Sequence, residues 1–129
     1  MYLIERDDSV PVIIDSQPRF WGDALSVEDA AGAEAAAARA TWLAATARAL
    51  GVPALLTEED PERHGPTAAQ ILSAVGPGAP LFTKPVFSLA ACPEIMAAIA
   101  ATGRKTAVLV GFETDVCVTH SAVGLSEAG

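Results

Sequence analysis

Apolar and polar positions along the chain alternate between two kinds of segment. Four short runs are almost continuously apolar: Val10-Pro11-Val12-Ile13-Ile14-Asp15, Val52-Pro53-Ala54-Leu55-Leu56-Thr57, Pro80-Leu81-Phe82-Thr83-Lys84 and Lys105-Thr106-Ala107-Val108-Leu109-Val110-Gly111. Runs of that length suit strands buried on both faces of a parallel sheet. Between and after them the apolar positions take helical spacing, over 27–50, 67–75, 93–101 and from near Cys117 toward Glu127. Ser26, followed by Glu28 and Asp29, supplies a helix start, and Gly51 supplies a stop. On the first helix Trp42, Leu43, Thr46, Ala47 and Leu50 form the expected apolar face. The order β-α-β-α-β-α-β-α predicts an α/β fold, a Rossmann-like parallel sheet with helices on both faces. Ligands of such sheets bind beyond the carboxyl ends of the strands. Asp15, Lys84 and the loop after Gly111 all sit at such ends.

Composition narrows the class. The chain has 129 residues, 51% of them hydrophobic and 19% charged, with a mean hydropathy of +0.36. This predicts one ordered domain over residues 1–129. Alanine accounts for 27 residues while aromatics are 5%, so the core must be built from small and branched side chains. The net charge is −8, with no basic run, which argues against nucleic acid as a partner. No apolar window reaches the ~20 residues of a membrane span. The opening Met1-Tyr2-Leu3-Ile4-Glu5-Arg6-Asp7-Asp8 carries acids where a signal peptide needs bases. The expectation is a cytoplasmic protein with no membrane partner.

Three side chains at the predicted rim carry chemistry. Six of the eight bases are Arg, so Lys84 at a strand end stands out. Cys117 lies where a helix begins, and helix starts and nearby ammonium groups lower a thiol's pKa. With Asp15 as proton acceptor, the trio reads as an activated nucleophile. The alternatives are plain ones: Asp15 as a turn cap, Lys84 as a solvated strand end, Cys117 as a small core residue. Cys92 reads as an inert residue before a helix, His64 as a loop histidine and His120 as a helix-face histidine.

The motifs around these residues favour chemistry. Asp15-Ser16-Gln17-Pro18-Arg19-Phe20 resembles the D-x-Q-x-x-F opening of the isochorismatase-like cysteine hydrolases. Lys84-Pro85-Val86-Phe87-Ser88 resembles their K-x-x-F-S segment, and Gly111-Phe112-Glu113-Thr114-Asp115-Val116-Cys117-Val118 their G-x-x-T-x-x-C-V loop. The resemblance implies Asp15 as general base, Lys84 as thiolate stabiliser and Cys117 as nucleophile. It also implies a cis peptide between Phe112 and Glu113, with the Glu113 and Cys117 N–H groups forming an oxyanion hole. Gln17, Phe20, Trp21 and Phe87 are candidate pocket residues; Gln17 can equally orient the Asp15 loop, and Phe20 and Trp21 can equally be core. A Cys at 117 suits hydrolysis of a small-molecule C–N bond, as in an amide or ureido acid. The stretch 57–67 holds one His and no Asp-x-His, so neither a metal nor another cofactor is expected.

The same resemblance bears on length. The family's parallel sheet runs 3-2-1-4-5-6, and this chain supplies the first four strands. The domain is therefore expected to be C-terminally incomplete, a fragment with its last strands missing and its fourth strand an apolar edge. Such an edge pairs with other chains, which predicts a homo-oligomer. It also leaves open a second reading, a non-catalytic assembly or binding module.

Overall fold

The computed structural model describes residues 3–22 and 26–129. Four parallel strands form one sheet in the order β3-β2-β1-β4. They are β1 (Ser9–Ile14), β2 (Leu55–Glu59), β3 (Leu81–Lys84) and β4 (Thr106–Gly111). The longer helices are α2 (Val27–Ala49), α4 (Ala69–Val75), α5 (Pro93–Ala101) and α6 (Thr119–Ala128). Two single turns, α1 (Arg19–Gly22) and α3 (Pro61–His64), lie in the connections after β1 and β2. No helix among the described residues is long and apolar enough to cross a membrane.

The two-residue period of the strands divides the core. Val10, Val12, Ile14 and Leu55 pack on one face with Leu89, Ile95, Ile99 and both cysteines. Ile13 and Leu56 pack on the other with Ala40 and Ala44 of α2 and Ile71 of α4. Only the two central strands are buried on both faces. All six residues of β1 are buried, whereas β3 is partly exposed and β4 is half-buried throughout. Full burial on both faces is thus confined to the central strands: among the described residues β3 and β4 are the sheet's edges, which corrects the reading of β3 as a buried strand and agrees with the expected edge at β4.

Two further expectations shift. The buried stripe of α2 is Ala37, Ala40, Ala44 and Ala47, while Trp42 and Leu50 face outward at 69% and 52% exposure. Small side chains let this helix lie close to the sheet, so the bulky residues turn away. The second strand also starts later, at Leu55, and runs on through the acids Glu58 and Glu59. Glu58 is buried because its carboxylate accepts the Thr67 N–H at 2.6 Å.

The ends of α2 are set as the sequence predicts. Ser26 Oγ accepts the Asp29 N–H at 3.0 Å. Gly51, at φ +66°, reverses the chain while Val52 N–H reaches Ala47 O at 2.8 Å. A second glycine does more for the site. Gly111 pairs with Ile14 at the ends of β4 and β1, at φ +140°. A Cβ there would stand 1.8 Å from Ile14 O. This close approach brings the β4 loop against the residue that follows Ile14, Asp15. Gly111→Ala should therefore cost about 3 kcal/mol or more of stability by urea denaturation. A loss under 1 kcal/mol would show that the approach is not required.

Candidate active site

Asp15 follows directly on β1. Its N–H still donates to Thr57 O of β2, at 3.0 Å, and the chain then turns at φ +46°. That left-handed conformation is uncommon outside glycine, though aspartate tolerates it. The turn aims the carboxylate into the protein, where it is completely buried. Lys84, the last residue of β3, is also completely buried. Its Nζ lies 2.5 Å from Asp15 Oδ2 and donates to Val86 O at 3.0 Å. β2 stands between their two strands, a separation of roughly 10 Å. The long aliphatic stem of lysine crosses the end of β2 to make the pair.

Cys117 comes from the other side, in a π turn, Thr114–Val118, that runs into α6. Its thiol is 7% exposed and lines a cavity of about 300 Å³. Burial, then the hydrogen bond with Asp15 and that carboxylate's charge, push Cys117 up to about 11; the Lys84 ammonium opposes them. This corrects the expectation of a lowered thiol. Lys84 does pull the thiol down, but burial and the Asp15 carboxylate outweigh it. At neutral pH the resting group is a thiol. Burial, then Glu94, also push Cys92 up against the pull of Lys84, in keeping with its place in the core.

The cavity is lined by Phe20, Glu59, Arg63, His64, Phe87, Phe112, Glu113, Val116 and Cys117. Phe20 and Phe87 are among these lining residues. Gln17 and Trp21 are not part of the lining. Gln17 is fully buried: its amide N–H groups donate to Glu59 O at 3.0 Å and Gly65 O at 2.6 Å, and its Oε1 accepts the Glu59 N–H at 2.8 Å. It fastens the loop carrying Arg63 and His64 to the Asp15 turn. Trp21 supports the wall from behind, its ring 4.8 Å from that of Phe112.

Sequence reasoning missed Glu59 and Arg63 and left His64 as a loop residue. His64 Nε2 lies 3.0 Å from Glu59 Oε2, and its ring is 4.9 Å from that of Phe20. The one available signal was a strand end rich in charge running into Pro61. His120 is exposed, with its ring 5.8 Å from Phe87. The peptide bond between Phe112 and Glu113 is cis, where the motif places it. Among the described residues no three His, Cys, Asp or Glu side chains come together to hold a metal ion. The arrangement can bury a nucleophile, hold its proton acceptor beside it, and admit a small planar molecule between aromatic walls.

Comparison with known proteins follows the same outline. The family model described as the isochorismatase domain matches residues 9–129. The fold superposes on MAR1 ribonuclease from Caenorhabditis elegans with a TM-score of 0.82 and 24% identity, covering 99% of this chain and 62% of that one. It superposes on the YcaC gene product of Escherichia coli, described as an octameric hydrolase of unknown specificity, at 0.82 and 21%, covering 100% and 62%. N-carbamoylsarcosine amidase from Thermoplasma acidophilum gives 0.67 and 20%, covering 90% and 74%. The chain thus spans less than two thirds of the length of the first two.

The state of the thiol is open to measurement. Alkylation of Cys117 by iodoacetamide, followed by peptide mass spectrometry from pH 7 to 9.5, should rise about tenfold per pH unit without a plateau. Asp15→Asn removes the acceptor and its charge but keeps Lys84, so it should move this curve to lower pH. A plateau below pH 8 in the wild type, or a slower Asp15→Asn, would contradict the assignment.

Proposed function

The chain belongs to the isochorismatase family, and on that premise we propose that it hydrolyses a C–N bond of a small amide or ureido acid through Cys117. The observation that carries this reading is the buried Asp15–Lys84 pair set against Cys117 at one wall of the cavity. Residues 1–129 are taken as one domain of this kind. Asp15, Lys84 and Cys117 are its catalytic residues.

The resting charges suggest how the steps run. As a substrate carbonyl approaches, the Cys117 sulfur bonds to its carbon while the thiol proton passes to Asp15. The carbonyl π pair moves onto oxygen, so the negative charge leaves Asp15 and develops on the oxyanion. Lys84 stays protonated and holds the neutralised acid in place. Glu113 and Cys117, both at the cavity wall, offer N–H groups to that oxygen, with Phe112 fixing the loop. One such donor contributes about 3 kcal/mol to the barrier reduction. Collapse breaks the C–N bond, and the departing nitrogen takes the proton from Asp15. Water then attacks the thioester, gives its proton to Asp15, and the released thiolate is reprotonated from that acid. Phe20, Phe87 and Phe112 suit the flat faces of an amide or ureido group, and the volume suits a small molecule.

A homo-oligomer is part of the proposal. Among the described residues the β4 edge has no strand on its outer side, and Ile4, Trp42 and Leu50 form an apolar surface with Val108 of that strand. An exposed apolar edge is a ready pairing site, and the octameric YcaC shows that the fold supports assembly. The alternative of a non-catalytic assembly module rests on the same edge and says nothing of why two buried charges stand beside a thiol.

A panel of small amides and ureido acids, with ammonia release as readout and an RNA oligonucleotide alongside, tests the reading. At least one C–N substrate should turn over, the RNA should stay intact, and Cys117→Ala should lower turnover about a thousandfold or more. Turnover that survives Cys117→Ala would overturn the nucleophile assignment.

A further inference from the structure

Thr57 lies in the middle of β2 and is completely buried. Its position asks only for a β-branched side chain, and valine would fill the same space with the same strand preference. The hydroxyl therefore needs a separate reason, because a buried hydroxyl without a partner is costly. It has a partner: Thr57 Oγ1 donates to Asp15 Oδ1 at 2.7 Å. The carbonyl of the same residue accepts the Asp15 N–H at 3.0 Å. Both contacts follow from the register, which pairs Ile14 of β1 with Thr57 of β2 and so brings the next residue, Asp15, across from it.

We propose that Thr57 is a positioning residue, which grips Asp15 by backbone and side chain so that the other carboxylate oxygen faces Lys84 and Cys117. The two oxygens of Asp15 are thereby divided. Oδ1 is held by the hydroxyl, and Oδ2 meets the Lys84 ammonium at 2.5 Å. Without the hydroxyl the carboxylate can rotate, and its charge is no longer drawn toward Thr57. A carboxylate with one donor fewer holds the Cys117 proton more tightly and repels a thiolate more strongly. The charged groups acting on Cys117 are Asp15 and Lys84, with Glu59, Arg63, His64 and Glu113 around the cavity. None of the latter four touches the Thr57 hydroxyl, so its loss acts through Asp15 alone. The consequence for turnover rests on the hydrolase reading above; the effect on Cys117 does not.

The test is alkylation of Cys117 by iodoacetamide at pH 8.5, read by peptide mass spectrometry. Thr57→Val should react about tenfold more slowly than wild type, the scale of one charge-assisted hydrogen bond. Thr57→Ser keeps the hydroxyl and should return the rate to within about threefold. In an Asp15→Asn background, Thr57→Val should change nothing further. Wild-type alkylation in Thr57→Val, or an equal slowing in the Asp15→Asn background, would overturn the inference. Should Thr57→Val fail to fold, Thr57→Ala against Thr57→Ser carries the same contrast. If the Thr57 effect is present while Cys117→Ala still hydrolyses substrate, the hydrolase reading fails and the clamp stands. If the effect is absent while Cys117→Ala is inactive, the reverse holds.

Discussion

Two opposite charges buried 2.5 Å apart, with no solvent exposure on either, constrain everything around them. Desolvating an ion pair costs more than a partial set of partners can return. The fold therefore supplies partners for what the pair leaves over. Thr57 donates to the second oxygen of Asp15, and Lys84 Nζ donates to Val86 O. The sheet order puts β2 between the two charges, so the pair also ties both sides of the sheet together over the end of a third strand.

The pair is neutral as a unit, which is what lets a thiol share its site. A lone lysine would leave a thiolate at rest, open to oxidation and to indiscriminate alkylation. A lone aspartate would be difficult to keep charged in so dry a place. Burial and the Asp15 carboxylate hold Cys117 protonated, at about 11, while Lys84 pulls the other way. On the proposed reading reactivity is withheld until a carbonyl arrives to take up the charge. Small residues set two close approaches: Ala40 and Ala44 of α2 pack on Ile13 and Leu56, and Gly111 lets β4 close on Ile14.

Much of this was legible in the sequence, for identifiable reasons. Apolar runs ending in a single acid or base mark strands that deliver a functional group at their carboxyl ends, and Asp15 and Lys84 obey that rule. The fourfold strand order and the cis bond at Phe112–Glu113 followed from motif resemblance. Direction was not legible. Gln17 and Trp21 lie within a motif beside Asp15, which left cavity, loop support and core all open; Gln17 is buried and Trp21, partly buried, packs on Phe112. Glu59 and Arg63 reach the cavity through a strand that continues past its apolar run, because β3 pairs with it as far as Lys84. The stripe of α2 was misread because bulk was taken as the sign of burial, whereas an alanine-rich helix buries its smallest side. The balance of forces on the thiol depends on burial and on a carboxylate from a distant segment, neither of which spacing along the chain reveals.

Asp15 and Lys84 act as one coupled, buried pair. A double-mutant cycle in urea denaturation, with Asp15→Asn, Lys84→Met and the two combined, tests it most directly. Lys84→Met alone should lose about 3–5 kcal/mol, because it strands a buried carboxylate. Adding Asp15→Asn should recover most of that loss. Losses that simply add would contradict the account, since they would mean that neither charge depends on the other.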